Sequence, residues 1–287
     1  MRLERGVTQA EPGSRDARSM VGAVREDIRE TLRTAWLDPG LEAVSREPVF
    51  FAAAWSAIRP SVGRSFLFVA RTLREQGCAV ARSLGARDRL ADLGPTLAPE
   101  EVVRVGEASR AAHLAAAKTQ IVLHLFLRAA RRERTLGTGQ EEPPSRRGVP
   151  EWQRWMSVLP SPDGEHPWLP RATERFGTLD APPALRPFAR WPAALDALWG
   201  DLDPVLDSPE WRRGETRLRR SLVAGLDLLP HPVELQWAVL RERGLDEAGR
   251  QRAIRLLEAH DGPAAGQTLA SAFAWLAFGS TELGQEG

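Results

Sequence analysis

Histidines are the first residues whose chemistry could define a site, because imidazole binds metals and transfers protons. His113 and His124 are eleven residues apart. On a helix they would share a face but lie about three turns, or roughly 16 Å, from each other. Helical ligands of one metal ion are three or four residues apart. The spacing therefore predicts no metal site. His231 lies between two prolines and is expected in a loop or at a helix start, and His166 and His260 have no obvious partner in the sequence.

Nucleophilic catalysis has one cysteine candidate, Cys78. No histidine lies near it in the sequence, and a cysteine in a helical segment without such a base is typical of a small buried residue. No serine lies in a Gly-x-Ser-x-Gly turn, and the chain has neither a phosphate-binding loop nor a dinucleotide fingerprint. These motifs therefore identify no catalytic residue, and we expect no cofactor.

The charge balance argues against a polyanionic partner. The 39 Lys and Arg residues are offset by 38 Asp and Glu residues. The arginine-rich segments 128–134 and 212–220 alternate with glutamate and apolar residues, which is typical of solvated helix faces. We therefore expect no nucleic-acid partner. The single cysteine, the charged opening residues and the lack of a membrane-length apolar run predict a cytoplasmic protein that does not contact a membrane.

The strongest signal is an internal repeat at an offset of 144 positions. It consists of eight identities without a gap, including three prolines and a tryptophan. They pair Thr34, Pro39, Leu41, Arg46, Pro48, Ala53, Trp55 and Pro60 with Thr178, Pro183, Leu185, Arg190, Pro192, Ala197, Trp199 and Pro204. The period is too long for a solenoid, so a duplication of one large unit is the simpler interpretation.

The hydrophobic periodicity is helical throughout. We therefore predict an all-α fold of two tandem helical repeats packed as an internal pseudo-dimer. The repeats span residues 20–134 and 171–280, and a connector rich in Gly, Pro and Ser spans residues 135–170.

Individual helices can be placed from prolines and caps. Pro48 opens a helix that Pro60 ends, and Ser208 caps one that reaches about Leu229. One long helix, or two abutting ones, covers residues 100–134, with its sparsely charged centre, 111–130, buried between the repeats. A further buried element, residues 264–278, is rich in small and aromatic residues.

The run from Glu26 to Trp36, followed by the segment from Pro48 to Trp55, resembles the opening of the group I 2-haloacid dehalogenases. Arg190-Trp191-Pro192 ahead of Trp199 is similar to the second repeat of that family. The resemblance implies an all-helical pseudo-dimer with its site in a crevice between the repeats. It also implies that an aspartate activates water, which displaces halide directly from carbon without an enzyme-bound ester.

The resemblance also implies which positions line the pocket. Trp36 matches a pocket tryptophan, and Lys118 matches a lysine on the long helix. Three positions depart from the pattern: Pro39 replaces an aromatic residue, Ala116 replaces an asparagine, and Ala184, which follows Pro183 in the same pocket segment, replaces the catalytic aspartate. Asp180 is the nearest alternative carboxylate, but Pro182 and Pro183 intervene, and we expect it to cap a helix instead.

Since alanine cannot accept a proton, the family mechanism cannot run unchanged in this chain. We therefore expect a divergent relative with a pocket for a small carboxylic acid that is not an active dehalogenase by that mechanism. Two alternatives remain open: a hydrolase that acts on a halogenated or other small carboxylic acid with a different base, and a non-catalytic helical interaction module. Because two internal repeats can supply their own symmetry, the protein is expected to be a monomer or a homodimer.

Overall fold

The computed structural model describes residues 12–142 and 166–279, and these residues form helices and loops without a β-strand. The all-α prediction is therefore confirmed. We number the α-helices in chain order: α1 Pro12–Leu32, α2 Pro39–Val44, α3 Pro48–Ile58, α4 Arg64–Ser83, α5 Leu90–Leu93, α6 Pro99–Ala130, α7 Trp168–Phe176, α8 Pro192–Leu202, α9 Pro209–Leu226, α10 Trp237–Glu242 and α11 Glu247–Phe278. Short 3₁₀ turns occupy Arg59–Ser61 and Arg186–Phe188.

Prolines and capping side chains fix many of the helix starts. Helices α2, α3, α6, α8 and α9 each have proline in the first turn, where no amide donor is needed. Asp38 accepts from the amide of Gly40 to cap α2, and Ser208 accepts from that of Trp211 to cap α9. The predicted starts at Pro48 and after Ser208 are correct.

The core is built on two 32-residue helices, α6 and α11, which pack along each other. Phe126 of α6 makes edge contacts with Phe50 and Phe51 of α3, with ring centroids 6.1 and 5.9 Å apart. Phe273 of α11 lies 6.1 Å from Trp211 of α9. Each long helix is therefore tied to one of the outer helices by aromatic packing.

Several predicted boundaries need correction. The element predicted for residues 264–278 is the second half of α11, which begins at Glu247 and continues through Pro263. A proline inside a helix removes one hydrogen bond, but tertiary packing against α6 holds this helix together. The helix predicted for 100–134 ends at Ala130, and the one predicted to reach Leu229 ends at Leu226.

Equivalent elements recur along the chain. Helices α3 and α8 each have eleven residues and begin at prolines 144 positions apart. An ion pair also recurs at that offset with its charges exchanged, as Asp27–Arg59 in one place and Arg171–Asp203 in the other. The duplication itself stays a prediction, as do the ranges 20–134 and 171–280.

The predicted connector, 135–170, lies largely outside the described residues, since positions 143–165 are not described. Its described beginning packs on the loop after α9, where the amides of Thr138 and Gly139 donate to the carbonyls of Leu229 and Pro230. Its end already belongs to α7, which begins at Trp168. In the described ranges, none of the helices has the length and apolar character that crossing a bilayer requires.

Candidate functional site

A cavity of about 70 Å³ lies where the middles of α6 and α11 meet two loops. Residues 36–39 form one loop wall, and residues between 178 and 187 form the other. The helices contribute residues between 112 and 123 and between 260 and 267. Segments from both predicted repeats therefore enclose this space, which is large enough for a few water molecules or a small organic acid.

The structure brings together five of the six pocket residues expected from the family resemblance. Trp36, Pro39, Ala116, Pro183 and Ala184 all line the cavity. Lys118 does not, because its Nζ donates to the carbonyl oxygen of Leu32 at 2.6 Å and the side chain is buried there. Lys118 therefore ties α6 to the end of α1 instead of facing the cavity.

Asp38 is the carboxylate that sequence reasoning missed. It lines the cavity, and its Oδ1 accepts from the amide of Gly40 at 2.7 Å. Burial raises the pKa of Asp38 from 3.8 to about 6, although the Gly40 hydrogen bond and the positive charge of Arg186 act in the opposite direction. A carboxylate with this pKa is ionised at neutral pH and is a stronger base than an ordinary aspartate.

The repeat offset leads to the loop that contains Asp38 but not to Asp38 itself. Position 184, where the resemblance implies an aspartate, corresponds across 144 residues to Gly40, which is two residues after Asp38. The carboxylate therefore belongs to the loop of residues 36–39, whereas the resemblance implies one in the loop that contains Ala184.

Arg186 supplies positive charge on the facing loop. It lines the cavity at the start of the 3₁₀ turn Arg186–Phe188, and its charge lowers the pKa of Asp38. The carboxylate of Asp38 and the guanidinium of Arg186 therefore border the same small space. This arrangement suits a ligand with one anionic end.

Helix α11 contributes two buried polar side chains to the cavity. His260 and Gln267 are each only 7% exposed. The Oε1 atom of Gln267 accepts from the amide of Ala184 at 3.3 Å, while its Nε2 atom and the Nε2 atom of His260 have no hydrogen-bond partner. Burial lowers the pKa of His260, so its ring is neutral at pH 7.

Asp180 is not the alternative base that its sequence position allowed. It is exposed, is not among the cavity-lining residues, and precedes no helix that it could cap. Prolines 182 and 183 keep the chain non-helical at this point, so the predicted cap role is wrong.

The remaining histidines and Cys78 form separate contacts. No histidine lies near Cys78 in the sequence, but the fold places one beside it: Sγ of Cys78 lies 3.6 Å from Nε2 of His113. Burial raises the pKa of the Cys78 thiol and lowers that of His113 to about 3, so both groups are neutral.

His124 lies apart from this pair, and its Nδ1 is 3.2 Å from Oδ1 of Asp261. Across the described part of the chain, no cluster of three metal-ligating side chains forms.

Comparison of the sequence with known proteins gives one short match. The chain is 32% identical over 69 residues to an (R)-2-haloacid dehalogenase of Pseudomonas putida. That match covers 24% of this chain and 23% of the Pseudomonas protein. No family model matches the sequence.

Structural similarity covers much more of the chain than the sequence match does. A D-2-haloacid dehalogenase mutant in complex with D-2-CPA superposes with a TM-score of 0.78 at 17% identity, over 95% of this chain and 96% of that one. The D-2-haloacid dehalogenase complex with L-LA gives a TM-score of 0.77 at 19% identity, over 96% and 99% of the two chains. This chain therefore has the fold of the D-2-haloacid dehalogenases.

Proposed function

We propose that the protein binds a small carboxylic acid in the cavity between α6 and α11 and hydrolyses it, with Asp38 as the general base. The observation that carries this proposal is the position of Asp38, which brings a carboxylate with a pKa of about 6 into a cavity where the family position, Ala184, offers none. The dehalogenase fold and the short sequence match support a 2-haloacid as the substrate.

An open cavity favours an enzyme over an interaction module. Trp36, Ala116 and Ala184 border a space that side chains could have filled, and Asp38 faces the same space. A purely structural module would gain stability by packing this volume with apolar groups, since empty cavities destabilise a fold. The retained space and its buried polar groups therefore support a ligand.

The proposed reaction is direct displacement. Asp38 takes a proton from a water molecule, the water oxygen bonds to the carbon that bears the halogen, and the carbon–halogen bond breaks as halide leaves with the bonding electrons. The product is a 2-hydroxy acid, and Asp38 then releases its proton to solvent. Arg186 lies across the cavity, where its charge attracts the carboxylate of the substrate.

The test is halide release from racemic 2-chloropropionate by the purified protein, beside Asp38→Asn. Asparagine still caps a helix N-terminus and has the same shape, so α2 is expected to stay intact while the base is lost. We expect halide release by the wild type and a loss of about 10²- to 10⁴-fold in kcat for Asp38→Asn. Equal rates for the two proteins would contradict the role of Asp38.

A second variant, Ala184→Asp, separates the remaining outcomes. If only Ala184→Asp releases halide, the cavity is a dehalogenase pocket without a working base and the proposal for Asp38 is wrong. If none of the three proteins releases halide, the dehalogenase reaction is excluded for this substrate.

A carboxylate-binding protein without catalysis is the second candidate function. It is favoured by the capping hydrogen bond of Asp38 to Gly40, because a capping carboxylate has a structural role of its own. This candidate predicts that 2-chloropropionate raises the melting temperature of the wild type while no halide appears, whereas the hydrolase predicts both effects.

A further inference from the structure

Two nitrogen atoms of cavity-lining residues on α11 lack hydrogen-bond partners. They are Nε2 of His260 and Nε2 of Gln267, and both are buried. The two residues are seven positions apart, which is about two helical turns, so they lie on the same face of α11. Their shared face is the one that meets the cavity.

Unpartnered buried polar groups are uncommon in folded proteins, because each forfeits the hydrogen bonds that it made to water in the unfolded chain. Two such atoms from the same short helical face, beside an open space, are therefore a specific feature. A ligand with hydrogen-bond acceptors in the cavity would satisfy both.

The chemistry of the two groups identifies the acceptor. Because Oε1 of Gln267 already accepts from the amide of Ala184, its Nε2 is a donor. His260 is neutral and can carry its proton on Nε2. Two donors on one face suit a ligand with more than one acceptor oxygen, and the charge of Arg186 on the adjoining loop favours an anion.

The local packing holds the imidazole in place. A Cβ atom added to Gly40 would lie 2.8 Å from both Cβ and Cγ of His260, so glycine at this position lets the ring lie against the turn that follows Asp38. Gln267 is anchored in turn to the loop at Ala184. Helix α11 therefore bridges both loops of the cavity through these two residues.

We propose that His260 and Gln267 form the carboxylate-binding subsite of the cavity, donating from their Nε2 atoms to the two oxygens of the bound acid. This assignment rests on the proposed small-carboxylate pocket and names the residues that orient the acid. The bound acid would then lie close to Asp38, because the His260 ring and Oδ1 of Asp38 both lie beside Gly40.

The experiment measures propionate binding, which requires no turnover, by calorimetry at pH 7.5 with full-length protein. The variants are His260→Leu and Gln267→Met, each of which removes one donor. The matched control is Ser271→Ala, which removes a buried hydroxyl of α11 that bonds to the carbonyl of Thr268 and does not line the cavity. We expect about tenfold or greater weakening of propionate binding for each donor variant and no change for the control.

Thermal unfolding without propionate separates a binding role from a structural one. His260→Leu is expected to unfold at the wild-type temperature or above it, because it removes an unpaired buried group, while the upward shift caused by propionate shrinks. A donor variant that binds propionate as well as the wild type, or a wild type that does not bind propionate, would overturn the assignment.

The Asp38→Asn variant keeps this inference separate from the proposed reaction. It is expected to bind propionate at least as tightly as the wild type, because it removes a negative charge that faces the ligand. Retained propionate binding without halide release in the wild type would leave the carboxylate subsite standing and reject the hydrolase.

Discussion

Asp38 serves the fold and the cavity at once. As the cap of α2 it satisfies the amide of Gly40, and as a cavity-lining group it has a pKa raised to about 6 by burial. The folded protein therefore holds this proton more tightly than the unfolded chain does, so its stability falls as pH rises from about 4 to about 6. At neutral pH the ionised carboxylate is a net cost to folding.

This cost predicts that Asp38→Asn stabilises the protein at pH 7.5. Asparagine keeps the cap without a charge to desolvate, so we expect a gain on the order of 1–2 kcal/mol at pH 7.5 and a much smaller difference at pH 4. Chemical denaturation at the two pH values measures it. A variant less stable than the wild type at pH 7.5 would show that the carboxylate contributes mainly as a cap.

Sequence reasoning named five residues that line the cavity but not its carboxylate. Trp36 and Ala184 could be placed because they lie in short segments that resemble a known family. Asp38 was missed because the base was sought at the matched position in the second repeat, and burial, which sets its pKa, is not visible in sequence. His260 was missed for a related reason, since Gly40, against which its ring lies, is more than 200 positions away in the sequence.

At the scale of elements, the tryptophans of α3 and α8 differ in their hydrogen bonds. Nε1 of Trp55 donates to Oδ2 of Asp27 at 2.6 Å, and Arg59 binds the same carboxylate. At the positions 144 residues later, Arg171 replaces Asp27 and pairs with Asp203, and the buried Nε1 of Trp199 has no partner. Only one tryptophan therefore gains a charge-assisted hydrogen bond.

This difference predicts unequal effects of the same substitution. Trp55→Phe loses a hydrogen bond to a carboxylate in addition to ring volume, whereas Trp199→Phe loses ring volume and an unsatisfied donor. We expect Trp55→Phe to lower the free energy of unfolding by about 1 kcal/mol or more beyond Trp199→Phe, as measured by urea denaturation. A larger loss for Trp199→Phe would contradict this account.

Helix starts were readable because proline and capping residues act locally, as at Pro48 and Ser208. The start of α11 could not be predicted, because a proline such as Pro263 normally marks a helix boundary. Here the helix continues on both sides of Pro263 because it packs against α6. Local signals therefore predicted elements that local chemistry determines and failed where tertiary packing overrides it.

For the whole molecule, the contact between α6 and α11 joins both predicted repeats in one core. Residues of all the larger helices belong to a single buried cluster. We infer that an ancestral helical unit was duplicated and that the cavity lies at the seam between its copies. The offset of 144 is the sequence basis of this inference, whereas the lining of the cavity depends on side chains from four separate segments.

A shared core predicts cooperative unfolding. Phe126→Ala removes a buried ring that packs on Phe50 and Phe51, and we expect it to lower stability by about 3–5 kcal/mol in one transition. Circular dichroism and tryptophan fluorescence should report the same denaturant midpoint. Two separated transitions, with only one shifted by the substitution, would show that the repeats fold independently.

The pH dependence of 2-chloropropionate hydrolysis tests the central claim most directly. If Asp38 is the base of a cavity that turns over a small carboxylic acid, kcat rises with pH to a plateau with an apparent pKa near 6, and Asp38→Asn abolishes that rise together with the activity. A kcat that is unchanged between pH 5 and pH 8, or that survives in Asp38→Asn, would contradict it.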